Sequence, residues 1–496
     1  MTRKKISFTD HAWLRMDEPD NLMVITGLIT FETPLDYEAL KTIVENSLLP
    51  IRRFRQRIKP PLLPFMRPYW EDDPNFDLES HLERVKLPPP ADQKTLQDLI
   101  IQLMSTKLET TRPLWQFYLV ENYGQGSAFI ARLHHSIADG ITLMQVLISL
   151  TDTNPASSHA GQLQEIGRSE QQTISGPKNT AKSAVLKSED WTVENLWKEG
   201  VRILTNPSHA RYRVHQVIDL AATVGKLTLR WPDPKTVFKG SLGIEKCAAW
   251  SEPISLRDVK HIRKAFNCTV NDVLLTAVAG ALGHYVESHK QETEDVSIRG
   301  FIPVNLRPIQ LDQELGNKFG LVFLSVPIGI DDPIKRLQQV RQNMDALKAS
   351  SEAIATFVVL NLFGAVSDRL EDVLVDFFGT KGSAVITNVP GPQTQRYLAG
   401  TPINSLMAWV PQSGRLALGI SIISYNGKVW LGVATDKGLI PDPETIIDFF
   451  DTEFNELKYL AQIVHAERQK KIQPMLSKLD DAIQTLDEIL ALANKE

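Results

Sequence analysis

Apolar residues switch repeatedly along this chain between the two-residue period of a strand and the 3.6-residue period of a helix. Met23 to Phe31 (MVITGLITF) is rich in β-branched residues and reads as a strand, and Tyr37 to Leu48 follows with helical spacing. Leu114 to Val120 and Ser127 to Leu133 read as two further strands. The second ends at a pair of histidines, and Thr142 to Leu150 then reads as a buried helix, giving strand, turn, helix. From Pro155 to Asp190 the composition shifts to Ser, Gln, Gly, Lys and Thr, which predicts an exposed, poorly ordered linker.

Trp191 to about Arg230 reads as helical and meets a turn at Trp231-Pro232-Asp233-Pro234. Between Gly240 and Leu460 the alternation resumes. Helices are expected at Ser255–Phe266, Val270–His284, Lys335–Lys348 and Pro443–Leu457. Strands are expected at Ser297–Pro303, Gly320–Ile328, Ala384–Asn388, Leu416–Tyr425 and Val429–Thr435. The pattern divides the chain into an α/β half (1–154), a linker with a helical segment (155–239), a second α/β half (240–460) and a tail (461–496). In the tail, Ile472, Leu476, Leu479, Ile483, Leu486 and Leu490 recur at spacings of four and three. Pro474 is expected to break the start of this stripe, and the tail to dock onto the body.

Composition narrows the function. The 496 residues are 43% apolar and 23% charged, which fits a folded body and excludes a fibrous or mainly disordered chain. A formal charge of -5 argues against nucleic acid as a partner. Two cysteines, Cys247 and Cys268, are too few for a disulfide framework and fit a reducing compartment. The basic N-terminus develops no apolar core of a signal peptide, and the longest apolar stretches, Ala353–Val366 and Val273–Leu282, fall short of a bilayer span. A cytoplasmic protein with peripheral membrane contact at most is therefore expected. No Walker A loop, complete G-x-G-x-x-G, G-x-S-x-G or H-E-x-x-H occurs, so nucleotide, serine-hydrolase and zincin chemistries lose their support.

The most informative residues are His134-His135-Ser136-Ile137-Ala138-Asp139-Gly140, where the strand meets its turn. Adjacent side chains on a strand point to opposite sides, so one histidine can face a cleft while the other faces inward. A neutral imidazole is a suitable base for an alcohol that attacks a carbonyl. Asp139 can orient the turn through an ion pair, with Arg307 a candidate partner, and Gly140 permits a backbone conformation other residues resist.

H-H-x-x-x-D-G resembles the signature of the CoA-dependent acyltransferase superfamily, which includes chloramphenicol acetyltransferases, nonribosomal peptide condensation domains and bacterial wax ester synthase/diacylglycerol acyltransferases. Phe54-Arg55-Gln56-Arg57, Phe76-Asp77-Leu78 with His81, and Arg112-Pro113-Leu114-Trp115 look like the last of these families. Thr269 to Leu274, Pro303 to Arg307, Leu315-Gly316-Asn317 and Asn388 to Pro392 follow in the family's order. The resemblance covers residues 6 to 460. It implies an α/β fold of two chloramphenicol-acetyltransferase-like domains, each a mostly antiparallel or mixed sheet with flanking helices, and a tunnel between them for acyl-CoA and an acceptor alcohol. His135 then matches the catalytic base, beside His134, with Asp139 structural. Asn271, in the family's Asn-Asp pair, is either the oxyanion donor or a helix cap. Trp115, Trp70 and His81 read as core residues.

What the resemblance implies is transfer of a long-chain acyl group from acyl-CoA, as co-substrate, to diacylglycerol or a fatty alcohol, forming triacylglycerol or wax ester with no cofactor, no metal and no covalent enzyme intermediate. Two alternatives stay open: a catalytically silent lipid-surface protein of the same fold, and a condensation enzyme using carrier-protein thioesters. Contact with a membrane or lipid droplet is expected through Ser208 to Arg230. There Val214, Val217, Ile218, Ala221 and Val224 share helical spacing, flanked by Arg211, Arg213, His215, Lys226 and Arg230.

Overall fold

The structure, a computed structural model, describes residues 4–155, 222–305, 317, 319–363, 375–412 and 416–493, apart from positions 62, 64, 65, 224, 349, 351 and 378. The linker, nearly all of the segment before Arg230, and Arg307 lie outside them. The first half is built on a five-stranded sheet whose order runs Ser405–Trp409, Val24–Phe31, Gly126–His134, Trp115–Tyr123, Leu82–Val85. Four of these pair antiparallel and the last is parallel to its neighbour. The second half carries a seven-stranded mixed sheet: Phe319–Pro327, Ser297–Asn305, Ala384–Pro390, Leu418–Tyr425, Lys428–Asp436 and Lys246–Trp250, with Ile254–Ser255 beside the fifth. Two large apolar cores correspond to these sheets and their helices.

One strand does not follow the division drawn from the sequence. Ser405–Trp409 belongs by position to the second half, yet it closes the first sheet by pairing along Thr26 to Thr30. The pairing is reinforced by a 2.6 Å contact between the Thr30 and Ser405 hydroxyls and by Asn404 N–H donating to Thr30 O. Trp409, 1% exposed, packs into the first core, while its indole N–H reaches Ala249 O across the boundary.

The Val270–Ser288 helix is apolar on nearly all sides because it is covered on all of them. Thr269 caps it and Asp272 returns the bond to the cap backbone, a complete capping box. Two glycines let its neighbours approach: a Cβ at Gly283 would stand 2.2 Å from Ile328 O, and one at Gly280 would stand 2.3 Å from the Glu453 carboxyl carbon. Among the described residues no single helix is long and apolar enough to cross a membrane.

The tail departs from expectation. Pro443–Ala493 is one continuous helix of 51 residues with Pro474 inside it. Arg468 still reaches Lys264 O and Ala265 O, but the described residues from Gln469 to Pro474 and from Ala482 to Thr485 are exposed and do not dock on the body. Glu467, Lys470 and Lys471 crowd the stretch where docking would continue, and burying such charges without partners is costly.

A buried ion pair within the second sheet also ties that sheet to the first half through its lysine. Lys246 Nζ meets Asp436 Oδ2 at 2.8 Å, with side chains 6% and 0% exposed, and also donates to Gly243 O and Asp20 O. Removing one partner of such a pair strands the other charge. Lys246→Ala is expected to lower the unfolding free energy by about 3–5 kcal/mol, and Lys246→Met with Asp436→Leu by clearly less, as read from urea denaturation.

Candidate active site

His135 begins the turn after the Gly126–His134 strand, and its backbone is held from both halves. Its N–H donates to Met23 O at 2.8 Å, and its carbonyl accepts from Asn317 Nδ2 at 2.7 Å. Asn317 is itself fixed by Asp10, which accepts from both its Nδ2 and its backbone N–H. Burial lifts the Asp10 carboxyl above the usual range, against the opposing pull of Arg53 and Asn317. The His135 ring stacks on Trp13 with centroids 4.1 Å apart and lies 5.5 Å from Phe319. The N-terminal helix, the histidine turn and the second sheet thus meet at one imidazole.

Burial, reinforced by His134, holds the His135 pKa down to about 3. Its Nδ1 is enclosed with no hydrogen-bond partner, which leaves Nε2 as the nitrogen for the cleft that the ring lines. That cleft, about 900 Å³ with its open mouth included, lies between the two sheets. Ile25, Gly27 and Leu133 line it from the first sheet, Pro303, Phe319, Leu321, Val385 and Ile423 from the second, and Leu143, Met144 and Leu147 from the helix after the motif. Apart from His135 and Asp139, its polar lining is Thr387 and Ser421, which sit opposite one another on paired parallel strands.

His134 faces the other way. Ser136 N–H donates to its Nδ1 at 3.0 Å, which turns Nε2 toward Asp17 Oδ1 at 3.6 Å. Although burial opposes ionisation of Asp17, His134, the Met23 N–H and Lys107 outweigh it and hold that carboxyl down to about 2. The residue does not line the cleft and fixes the turn instead. Asp139 caps the Gly140–Ser149 helix by accepting from Thr142 N–H at 2.9 Å. Gly140 lines the cleft, has no positive φ, and would tolerate a Cβ at 3.6 Å from Ile25. The expectation of a special backbone there is therefore corrected: its value is the room it leaves beside the ring.

Asn271 is not brought into this cleft. It stands exposed at the second position of its helix, where Oδ1 accepts from Asn388 Nδ2 at 2.7 Å. It is not the cap either, because Thr269 takes that role. Trp115 is a core residue: its indole N–H donates to Phe54 O at 2.8 Å and its ring stacks on His81. Trp70 is buried under Arg53. Trp13, Asp10 and Phe319 escaped sequence reasoning. Asn317 lay within a recognised motif, but nothing in the motif tied it to His135.

Two sheets facing one another across a cleft, with a histidine from the H-H-x-x-x-D-G turn presented to it, define an acyltransferase-type architecture. Residues 6–274 match the wax ester synthase/diacylglycerol acyltransferase catalytic domain and residues 315–458 the C-terminal domain of the same proteins; the chain belongs to this family, and it is an acyltransferase. It is 26% identical over 448 residues to a probable diacylglycerol O-acyltransferase of Mycobacterium tuberculosis, covering 87% of this chain and 91% of that one. It is 25% identical over 468 residues to an O-acyltransferase of Acinetobacter baylyi, covering 90% and 94%. In fold it resembles the wax ester synthase/diacylglycerol acyltransferase of Marinobacter aquaeolei (TM-score 0.66, 20% identity, 92% and 100% covered). It also resembles the first condensation domain of the calcium-dependent antibiotic synthetase (TM-score 0.58, 14% identity, 93% and 96% covered).

An imidazole held near pKa 3 is already deprotonated throughout the neutral and mildly acid range, as a general base at this position would need to be. The acid limb of kcat/KM is therefore expected below pH 5, not near the ordinary histidine value of about 6.5. Because the unfolded chain binds the proton that folded His135 refuses, this histidine makes stability rise with pH between about 3 and about 6.5. Trp13→Ala, which admits water to the ring, should move the acid limb upward. A pH–rate series on both proteins checks this.

Proposed function

We propose that the chain transfers a long-chain acyl group from acyl-CoA to the hydroxyl of diacylglycerol or a fatty alcohol, with His135 as general base. The observation that carries this reading is the placement of a neutral imidazole in an apolar cleft between the sheets. Each methylene seated there contributes up to about 0.8 kcal/mol, so the cleft favours long chains over acetyl. His135 Nε2 takes the proton from the acceptor hydroxyl as its oxygen attacks the thioester carbonyl. The tetrahedral intermediate then collapses, the C–S bond breaks, and the imidazolium returns its proton to the leaving thiolate.

The step uses no resident cofactor and no covalent enzyme intermediate. Both thiols are buried, and burial raises Cys247 and pushes Cys268 up to about 11, so neither supplies a thiolate nucleophile. For the oxyanion, the hydroxyls of Ser421 and Thr387 are better placed than Asn271 because they line the cleft.

We place the protein in the cytoplasm, attached peripherally to a membrane or lipid-droplet surface. Leu229 and Trp231, 85% and 84% exposed, support this at the end of the basic segment. Leu227 beside them is buried, and Arg230 is spent on Glu352 at 2.7 Å and on the Phe323 ring. The apolar tip, with Lys226, therefore replaces Arg230 as the contact to test.

The test of the reaction is thiol release from long-chain acyl-CoA with hexadecanol or diacylglycerol as acceptor. His135→Ala is expected to lose about a hundred- to ten-thousand-fold in kcat while staying folded, and His134→Ala less. Ser421→Ala should lower kcat more than it raises KM. A near-normal rate in His135→Ala would remove the assignment. Leu229→Asp with Trp231→Ala should weaken co-sedimentation with anionic vesicles and leave turnover on detergent-dispersed substrate unchanged.

A further inference from the structure

Asn317 belongs by position to the second half and is buried just before the Phe319–Pro327 strand. Its amide orientation is fixed by what it touches. Nδ2 donates to the His135 carbonyl at 2.7 Å and to Asp10 Oδ1 at 2.8 Å. That carboxyl oxygen also accepts from the Asn317 backbone N–H, and Asp10 is held in the first turn of the Phe8–Arg15 helix, where its own N–H donates to Ser7 Oγ. Turning the amide over would set Oδ1 against two acceptors, so Nδ2 faces them and Oδ1 faces away.

Two polar atoms are left over at this junction. Asn317 Oδ1, an acceptor, and His135 Nδ1 are both buried, and neither has a hydrogen-bond partner among the described residues. Buried polar groups are ordinarily paired, so two orphans on residues already in contact call for an explanation. Burial and His134 disfavour the protonated His135 ring, while the His135 carbonyl and the Asn317 side chain favour it, so each of these two turns an acceptor toward the imidazole. The carbonyl already accepts from Nδ2 and has one lone pair left, whereas Oδ1 has both.

We propose that Asn317 is a positioning residue that sets the tautomer of His135: Oδ1 accepts the proton-bearing Nδ1, which leaves Nε2 bare toward the cleft. The proposal rests on His135 as the base, because a ring with its proton on Nε2 has no lone pair there to offer an acceptor hydroxyl. One amide then performs two tasks from the opposite half, holding the turn through the carbonyl and the ring through Nδ1. A neutral amide suits this role better than a carboxylate. A carboxylate in its place would stabilise the imidazolium and keep the proton that the leaving thiolate must receive, whereas a neutral oxygen orders the tautomer and leaves the ring a weak holder of charge. Asp10, the carboxylate in this chain of contacts, is spent on the two N–H groups of Asn317.

The test is the nitrogen NMR spectrum of the full chain carrying isotope-labelled histidine near neutral pH, with the His135 signals identified by their loss in His135→Ala. The wild-type ring is expected to carry its proton on Nδ1. In Asn317→Ala the Nε2–H form should appear, kcat should fall about ten- to a thousand-fold, and KM should change by less than about threefold, since loss of the right tautomer disables the base without removing substrate contacts. Asp10→Ala, which frees the amide to turn, should give a mixture of tautomers and a smaller loss of kcat. A wild-type ring protonated on Nε2 overturns the proposal, and that measurement needs no variant to fold. So does Asn317→Ala with an unchanged tautomer, whatever its rate, since Asn317 would then hold the turn alone. A changed tautomer at an unchanged rate would uphold the bond and strike His135 as the base, so the two assignments fail separately.

Discussion

The site depends on a strand exchanged between the two halves. Ser405–Trp409 leaves the second half and completes the first sheet, so the two sheets cannot drift apart without breaking a ladder of backbone hydrogen bonds. The gap between the sheets is the cleft, and its width is therefore set by main-chain pairing more than by side-chain fit. The same closeness lets Asn317 reach across to the His135 carbonyl and lets Phe319 stand beside its ring. The surroundings of the His135 ring are assembled by the closure of the two halves, and neither half contains them alone.

That assembly decides the chemistry of the imidazole. Trp13 and Phe319 exclude water from its faces, and a cation in such a place lacks the solvation that would stabilise it. The result is a ring that is always ready to accept a proton and poor at keeping it. In the proposed transfer this is an advantage, since the proton is held only while a tetrahedral anion stands beside it and must be released to the thiolate at once. The same apolar lining that suits an acyl chain in the proposed transfer thus keeps the imidazole neutral.

Most of the fold was legible because most strands carry clear β-branched alternation. Val24–Phe31, Gly126–His134 and Leu418–Tyr425 were all visible to within a residue or two, and so were the helices Gly140–Ser149 and Leu256–Phe266, whereas Phe8–Arg15 and Gln93–Met104 were not read at all. Lys246–Trp250 and Ser405–Trp409 were not: each has only five residues, is rich in small side chains, and owes its conformation to partners far away in sequence. In the site, His135 and Asp139 were readable from one contiguous motif. The surroundings of His135 were not, because Trp13, Asp10 and Asn317 become neighbours only through tertiary closure and carry no spacing that would reveal it. Asn271 illustrates the reverse case, a residue marked by its motif that the fold turns outward onto Asn388.

The exchanged strand also bears on how the chain is made. Thr30 and its partner Ser405 are 375 residues apart, so at about 5–20 residues per second a ribosome needs roughly 20–75 s to supply the second after the first. Throughout that interval the Val24–Phe31 strand, buried along its whole length in the finished protein, has an unpaired edge. An apolar edge left open that long is a template for pairing with another nascent chain. Synthesis of this protein therefore passes through a window in which its first half is nearly folded and adhesive, and holding chaperones matter to its yield more than its final stability would suggest.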